Sequence, residues 1–353
     1  LNVRHGGRVL SSRRIEDADA EDEIEMMFTR VWTDGLPVVP PTEHRVLKML
    51  TGTTRAPDEV DATEPPDLVD ITVQKVAISA VMAGCLPEYL PWVLTAVEAV
   101  CNDEFNMHGL LATTMPVAPV LVCSGPGTRA IGMNSGINAL GQGNRANSTI
   151  GRALQLIVRN VGGGRPGEVD RAAHGNPAKL SFCFAENDAE SPVGTLAGQH
   201  GVEPGVDAIT VFAGEGPRGM VDQLSRDPES LANSMAAQLQ MMHHHKLVLG
   251  FDAILVLSPE HGRVFAEAGW DRDRILFELH MRLTTPAADL ERGAGGIAEG
   301  IPVGMSTADL PKFRPDGLML TYTGGGAGLF SSIIPGWVNG EMGSKPVTRE
   351  VRY

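Results

Sequence analysis

The sequence predicts an α/β protein: a substantially parallel or mixed sheet with helices on both faces, preceded by a helical N-terminal segment. Three observations predict it. Short apolar runs at Pro119 to Cys123, Leu180 to Phe184, Ala208 to Phe212, Ala253 to Leu257 and Leu318 to Tyr322 read as strands. Helical patterns lie between them, at Asn147 to Asn160, Ser230 to His243, Glu260 to Ala268 and Asp271 to Leu283. Each apolar run also ends in a turn: Ser124-Gly125-Pro126, Ala185-Glu186-Asn187, Gly214-Glu215-Gly216-Pro217, Ser258-Pro259 and Gly324-Gly325-Gly326. In sheets of this class the ligand sits beyond the carboxyl ends of the strands, so these turns mark the expected site.

In chain order, residues 1 to 20 are charged and aperiodic, as expected of an arm that is flexible or wraps a partner. A helix is expected from Asp22, with Ile24, Met27, Phe28 and Val31 on one face, stopping at Asp34-Gly35 before the extended Leu36 to Pro41. Thr42 should cap a short helix that turns Val46, Met49 and Leu50 inward. A Pro-rich linker at Glu64 to Asp67 then leads to two nearly uniform apolar helices, Thr72 to Ala83 and Pro87 to Cys101, which must be buried or lie in a subunit interface. The expected division is residues 1–70 as arm and short helices and 71–353 as the α/β core. The strand-turn unit recurs within that core, which leaves open two similar halves, 71–200 and 201–353. The likeness is too faint to establish a duplication.

Composition narrows the function. The chain has 353 residues, 42% of them hydrophobic, enough for one large core or two medium ones. A formal net charge of -14 argues against nucleic-acid binding, which relies on clustered Lys and Arg. No apolar stretch reaches the roughly 18 residues of a membrane span and no signal peptide is evident, so a soluble cytoplasmic protein is expected, with no membrane partner. Four widely spaced cysteines without a CxxC pair point to reduced thiols rather than a disulfide framework or zinc ribbon. With 41 Gly, 24 Pro and only 5% aromatics, loop backbone should carry recognition, which favours small polar ligands.

The chemistry should centre on Cys123 to Lys179. Met133 to Thr149 is rich in Gly and Asn and opens a helix at Asn147, with Ser148 in its first turn. Free N–H groups and the helix dipole there attract anions, and Arg145 adds a fork for carboxylate or phosphate. Asn134, Arg145, Asn147 and Ser148 are therefore expected to bind substrate, with Arg165 beside them. The plainer reading is a capped turn. Neither the Rossmann nor the Walker A spacing occurs, so no nucleotide cofactor is implied. Gly162 to Glu168, followed by Asp170, Arg171, His174 and Lys179, collects acids, bases and cations in a Gly-rich loop before the strand that ends at Glu186. His174, Lys179 and Glu186 are the acid–base candidates, weighed against surface and salt-bridged roles. Cys85 stands before a helix whose N-terminus would lower its pKa and make a thiolate nucleophile, or else it is a small core residue. His108 could join His174 and Glu186 around a divalent metal, with His243 or His245. Gly324 to Gly328 with Ser331-Ser332 forms a second candidate anion cradle.

Several segments carry a family resemblance: Asp34-Gly35-Leu36-Pro37-Val38-Val39-Pro40-Pro41-Thr42, Met82-Ala83-Gly84-Cys85, Pro87-Glu88-Tyr89-Leu90-Pro91, and Asn134 through Asp170. Together they resemble a bacterial family associated with a UGSC motif, whose members are selenocysteine or cysteine proteins. The resemblance spans most of residues 30–340 and implies a small-molecule enzyme, or one subunit of a thiol- or selenol-dependent complex. This chain contains no Cys-Gly-Ser-Cys sequence, so such chemistry would be shared with a UGSC-motif partner or fall to Cys85. Three expectations stay open. One is a homo-oligomeric enzyme that cleaves or reduces a carbon–heteroatom bond in a small anionic substrate. The others are a metal-dependent hydrolase or lyase, and a noncatalytic scaffold subunit using the acidic arm and the apolar helices at 72–101.

Overall fold

A computed structural model describes residues 10–13, 22–65 and 67–353, so most of the expected N-terminal arm lies outside the described residues. The helices are α1 (Glu23–Thr29), α2 (Glu43–Met49), α3 (Val73–Ala83), α4 (Leu90–Val100), α5 (Met107–Ala112), α6 (Pro126–Ala130), α7 (Arg145–Asn160), α8 (Leu196–Gln199), α9 (Pro228–Gln240), α10 (Pro259–Glu267), α11 (Arg272–Arg282) and α12 (Ala287–Leu290). The strands are β1 (Val60–Glu64), β2 (Val69–Thr72), β3 (Ala118–Ser124), β4 (Cys183–Ala185), β5 (Ala208–Gly214), β6 (Arg218–Val221), β7 (Phe251–Leu257), β8 (Thr284–Thr285), β9 (Leu310–Pro311), β10 (Leu318–Tyr322), β11 (Phe330–Val338) and β12 (Val347–Glu350). None of the described helices is long and apolar enough to cross a membrane.

The N-terminal segment departs from its sequence pattern in two places. Asp22 caps α1 by accepting from Ile24 N at 2.8 Å, but the helix ends at Thr29. Val31, expected on the inner face, lies beyond that end at φ 59° and is half exposed. The segment expected as a linker between Glu64 and Asp67 instead falls between β1 and β2, which pair antiparallel as a hairpin.

The main sheet is mixed, in the order β10-β7-β11-β5-β3-β4, with β12 against β5 and β6 against β11. Among the described residues β7 and β10 run parallel, as do β3 and β4, while β5 and β11 pair antiparallel with each of their neighbours. Alternation along each strand splits its side chains between two faces. Leu121 and Cys123 of β3 and Val211 of β5 pack with α3, α4 and α7, joined by Met27, Val46 and Met49 of the N-terminal helices. Leu255 of β7, Leu320 of β10 and Ile333 of β11 pack with α9, α10 and α11. The registers place all of these residues on one face, which the long helices cover.

The other face is covered by the sheet itself. Val120 and Val122 of β3, Phe184 of β4, Phe212 of β5, Ile254 and Val256 of β7 and Met319 of β10 share one apolar cluster with Leu196 of α8. Strands from opposite ends of the order can meet this way only if the sheet curls. Hydrogen bonds close the curl: Asn187 N donates to Tyr322 O at 2.8 Å, and Thr323 Oγ1 to Ala185 O at 2.9 Å. Gln199 of α8 covers the β10 edge by donating to Leu320 O at 2.6 Å and accepting from Leu320 N at 3.3 Å. Such cover keeps an edge from pairing with other chains.

Among the described residues two lysines, Lys246 and Lys312, are buried without a carboxylate partner. Lys246 Nζ donates to the carbonyls of Glu291, Ala294 and Ile297 at 2.8, 2.6 and 3.4 Å. Lys312 Nζ donates to those of Met242, His244 and Leu247 at 3.0, 2.8 and 2.8 Å. Each ammonium thus spends its three donors on backbone and fixes a loop that has no regular partner.

Candidate functional site

In the Asn-rich loop, the amides expected to bind substrate bind the loop itself. Asn147 is buried; its Oδ1 accepts from Asn134 N at 3.0 Å, and its Nδ2 donates to Asn134 O and Ala139 O at 2.9 and 3.3 Å. Asn134 Oδ1 accepts from Gly136 N and its Nδ2 donates to Ile137 O, both at 2.9 Å. The helix opens at Arg145 rather than Asn147, because Asn144 is the cap and accepts from Asn147 N at 3.0 Å. Arg145 Nε donates to Gly84 O at 2.9 Å, and Ser148 is half-buried with its carbonyl accepting from Ser181 Oγ. Offering these groups to a ligand would break bonds worth about 1 kcal/mol each.

The acid–base candidates are dispersed. His174 and His108 are exposed and make no hydrogen bond or ion pair to Cys85, Arg145 or Glu186. Lys179 is held by both oxygens of Asp170, at 2.8 and 2.7 Å. Arg165 is half-buried, with its Nε enclosed and unpartnered. Cys85 is buried, its Sγ donates to Thr149 O at 3.3 Å, and burial pushes the thiol up to about 12. The expected lowering by a following helix does not occur, because desolvation outweighs the hydrogen bond and the Arg145 charge. His243-His244-His245 lies past the end of α9 instead of on it, with His243 Nε2 against Gly336 O at 2.9 Å. Among the described residues no three His, Cys, Asp or Glu side chains are grouped to hold a metal.

Glu186 is fully buried just past β4. Its carboxylate accepts from Ser124 Oγ at 2.5 Å, Thr321 Oγ1 at 2.7 Å and Leu196 N at 3.0 Å, tying β3, β10 and the start of α8 together. Burial raises its pKa to about 7 against these three favourable bonds.

Its chain neighbour Asn187 lines a cleft of 480 Å³ at the carboxyl ends of β7 and β10. The walls are Asn187, Glu190 and Pro192, the α10 face of Pro259, Arg263 and Ala266, Tyr322, Gly324 to Gly326, and Gly136 with Ile137. Two loops that read as separate anion cradles therefore meet here: Gly324 N donates to Ser135 O at 3.1 Å, and Thr323 Oγ1 lies 3.0 Å from the same carbonyl. Ser331 of the second cradle is instead a buried residue of β11, bonded to His261 Nδ1 at 2.8 Å.

Gly262 lets the Tyr322 ring lie against α10, since a Cβ there would stand 2.7 Å from Tyr322 Cε2. Burial pushes the Tyr322 phenol up, Glu190 adds to the rise and Arg263 opposes it, so all three groups share one field. Glu190 accepts from Asn187 Nδ2 at 2.9 Å. Arg263 is exposed and makes no hydrogen bond or ion pair among the described residues. Sequence reasoning named the Gly324 turn but missed Arg263, Glu190 and Tyr322. The one available signal was Tyr322 standing last in an apolar run. A comparison with protein-family models finds no match, and neither do searches of curated proteins and of solved structures.

Proposed function

We propose that the chain is an enzyme that takes a small organic anion into the 480 Å³ cleft and cleaves a carbon–heteroatom bond in it by acid–base chemistry. The observation that carries this reading is Arg263, a guanidinium with no partner among the described residues, lining a cleft where a phenol and a carboxylate converge. A planar fork in that position suits a carboxylate or phosphate. Tyr322, pushed above its ordinary value, keeps its proton at neutral pH and serves as acid. Glu190 serves as base. For an elimination, Glu190 takes a proton from the carbon next to the bound carboxylate, the carbon–heteroatom bond breaks, and Tyr322 protonates the departing heteroatom. Cys85 has no part in this scheme, being a buried thiol outside the cleft lining.

The test is thermal unfolding in the presence of three- to six-carbon hydroxy- and dicarboxylates and of inorganic phosphate. A ligand at about 100 times its Kd should stabilise the wild type by about 2.7 kcal/mol. Arg263→Gln should lose that stabilisation. An equal rise in both proteins, or none in either, would overturn the reading. For a ligand that binds, Tyr322→Phe and Glu190→Gln should each slow turnover by about 100-fold or more.

A further inference from the structure

A second cavity, of 140 Å³, lies away from the cleft, between α5, α7, the start of β3 and the Gly-rich loop ending at Lys179. Its lining combines apolar Leu110, Leu111 and Val158 with charged Arg159, Asp170 and Lys179. Its two acids and two bases do not pair off with one another. Asp34, also in the lining, is taken by Arg152 through two bonds of 2.8 Å, and Asp170 is taken by Lys179. Arg159 is left over: it has no ion pair among the described residues, and its Nε is buried with no partner. A guanidinium on the cavity wall with no ion pair of its own can take a carboxylate there. Gly164 closes the apolar side, since a Cβ there would stand 2.9 Å from Leu111 Cδ1 and 3.0 Å from Val158 Cγ1.

We infer that this cavity is a binding site for a short-chain monocarboxylate, its carboxylate on Arg159 and its chain against Leu110, Leu111 and Val158. One surplus positive charge matches one negative charge. The volume sets the length, because a cavity of about 150 Å³ accepts a six-carbon ring. Butyrate and valerate, with six and seven heavy atoms, fit that size. The site stands independently of the cleft.

Calorimetric titration of the full chain with acetate, butyrate, valerate and octanoate tests it. Butyrate and valerate should bind at least tenfold more tightly than acetate or octanoate. Arg159→Gln should weaken valerate at least tenfold, and Leu111→Trp, which fills the apolar side, should do the same if Arg159→Gln fails to fold. All of these titrations are made in the Arg263→Gln background, so that the cleft arginine holds no carboxylate and the heat belongs to this cavity. Affinity that climbs steadily through octanoate, undiminished binding in both cavity variants, or no valerate binding at all in the Arg263→Gln background would each overturn the inference.

Discussion

The Asn-rich loop and the cleft it borders use polar groups in opposite ways. In the loop, Asn134, Asn144 and Asn147 spend their amides on nearby backbone and Arg145 spends its Nε on Gly84, so the density of polar side chains builds a rigid rim. In the cleft, Arg263 is left without a partner beside Tyr322 and Glu190. Abundance of polar residues therefore marks where backbone needs support, whereas unspent donors mark where a ligand can be held. The 140 Å³ cavity follows the cleft, with Arg159 in the place of Arg263.

Three measurements can break or sharpen that contrast. The largest effect concerns Cys85, on the rigid side. With its thiol pushed up from 9.0 to about 12, its thiolate fraction at pH 8 falls about a thousandfold, and iodoacetamide should label it slower by that factor than in the denatured chain. Mass spectrometry of the labelled peptide over time gives the rate. Labelling within tenfold of the denatured rate would show an open, reactive thiol.

Glu186 comes next. Its folded pKa of about 7 stands above the ordinary 4.5, so the fold favours the protonated acid, and stability is lost as pH rises between those two values. Glu186→Gln keeps the neutral shape and should be more stable than wild type by roughly 3 kcal/mol at pH 8, and by less than about 1 kcal/mol at pH 5. Urea unfolding at the two pH values measures the difference; a gain independent of pH would remove the ionisation argument.

The smallest effects test the contrast directly. Asn147→Ala, which strips bonds from buried backbone, should cost about 2–3 kcal/mol. Arg263→Gln should change unfolding by no more than about 0.5 kcal/mol, because nothing internal depends on it. Similar costs for the two would erase the distinction between spent and unspent groups.

Much of the architecture was legible in one dimension. The runs ending at Cys123, Phe212, Leu257 and Tyr322 lie in β3, β5, β7 and β10, and the helices between them begin and end within about three residues of expectation. The strand β11 was missed because Ser331-Ser332 and Pro335-Gly336 carry turn chemistry inside it. Without β11 its antiparallel pairings with β7, β5 and β6 could not be foreseen, nor the curl that brings β4 to β10. The site was legible only in its backbone, at the Gly324 turn and the end of β4. Arg263 sits on an ordinary amphipathic helix, and whether an arginine has a partner is a property of three dimensions. Glu186 was named for its place at a strand end, but its burial depends on Thr321, 135 residues away.

The two buried lysines give the loops around residues 242–247 and 291–297 what many proteins obtain from a bound potassium or calcium ion: a positive centre ringed by carbonyl oxygens. Because this cation is tethered covalently, dilution or a chelator cannot withdraw it. Its supply is set by translation rather than by the metal ions of the surroundings.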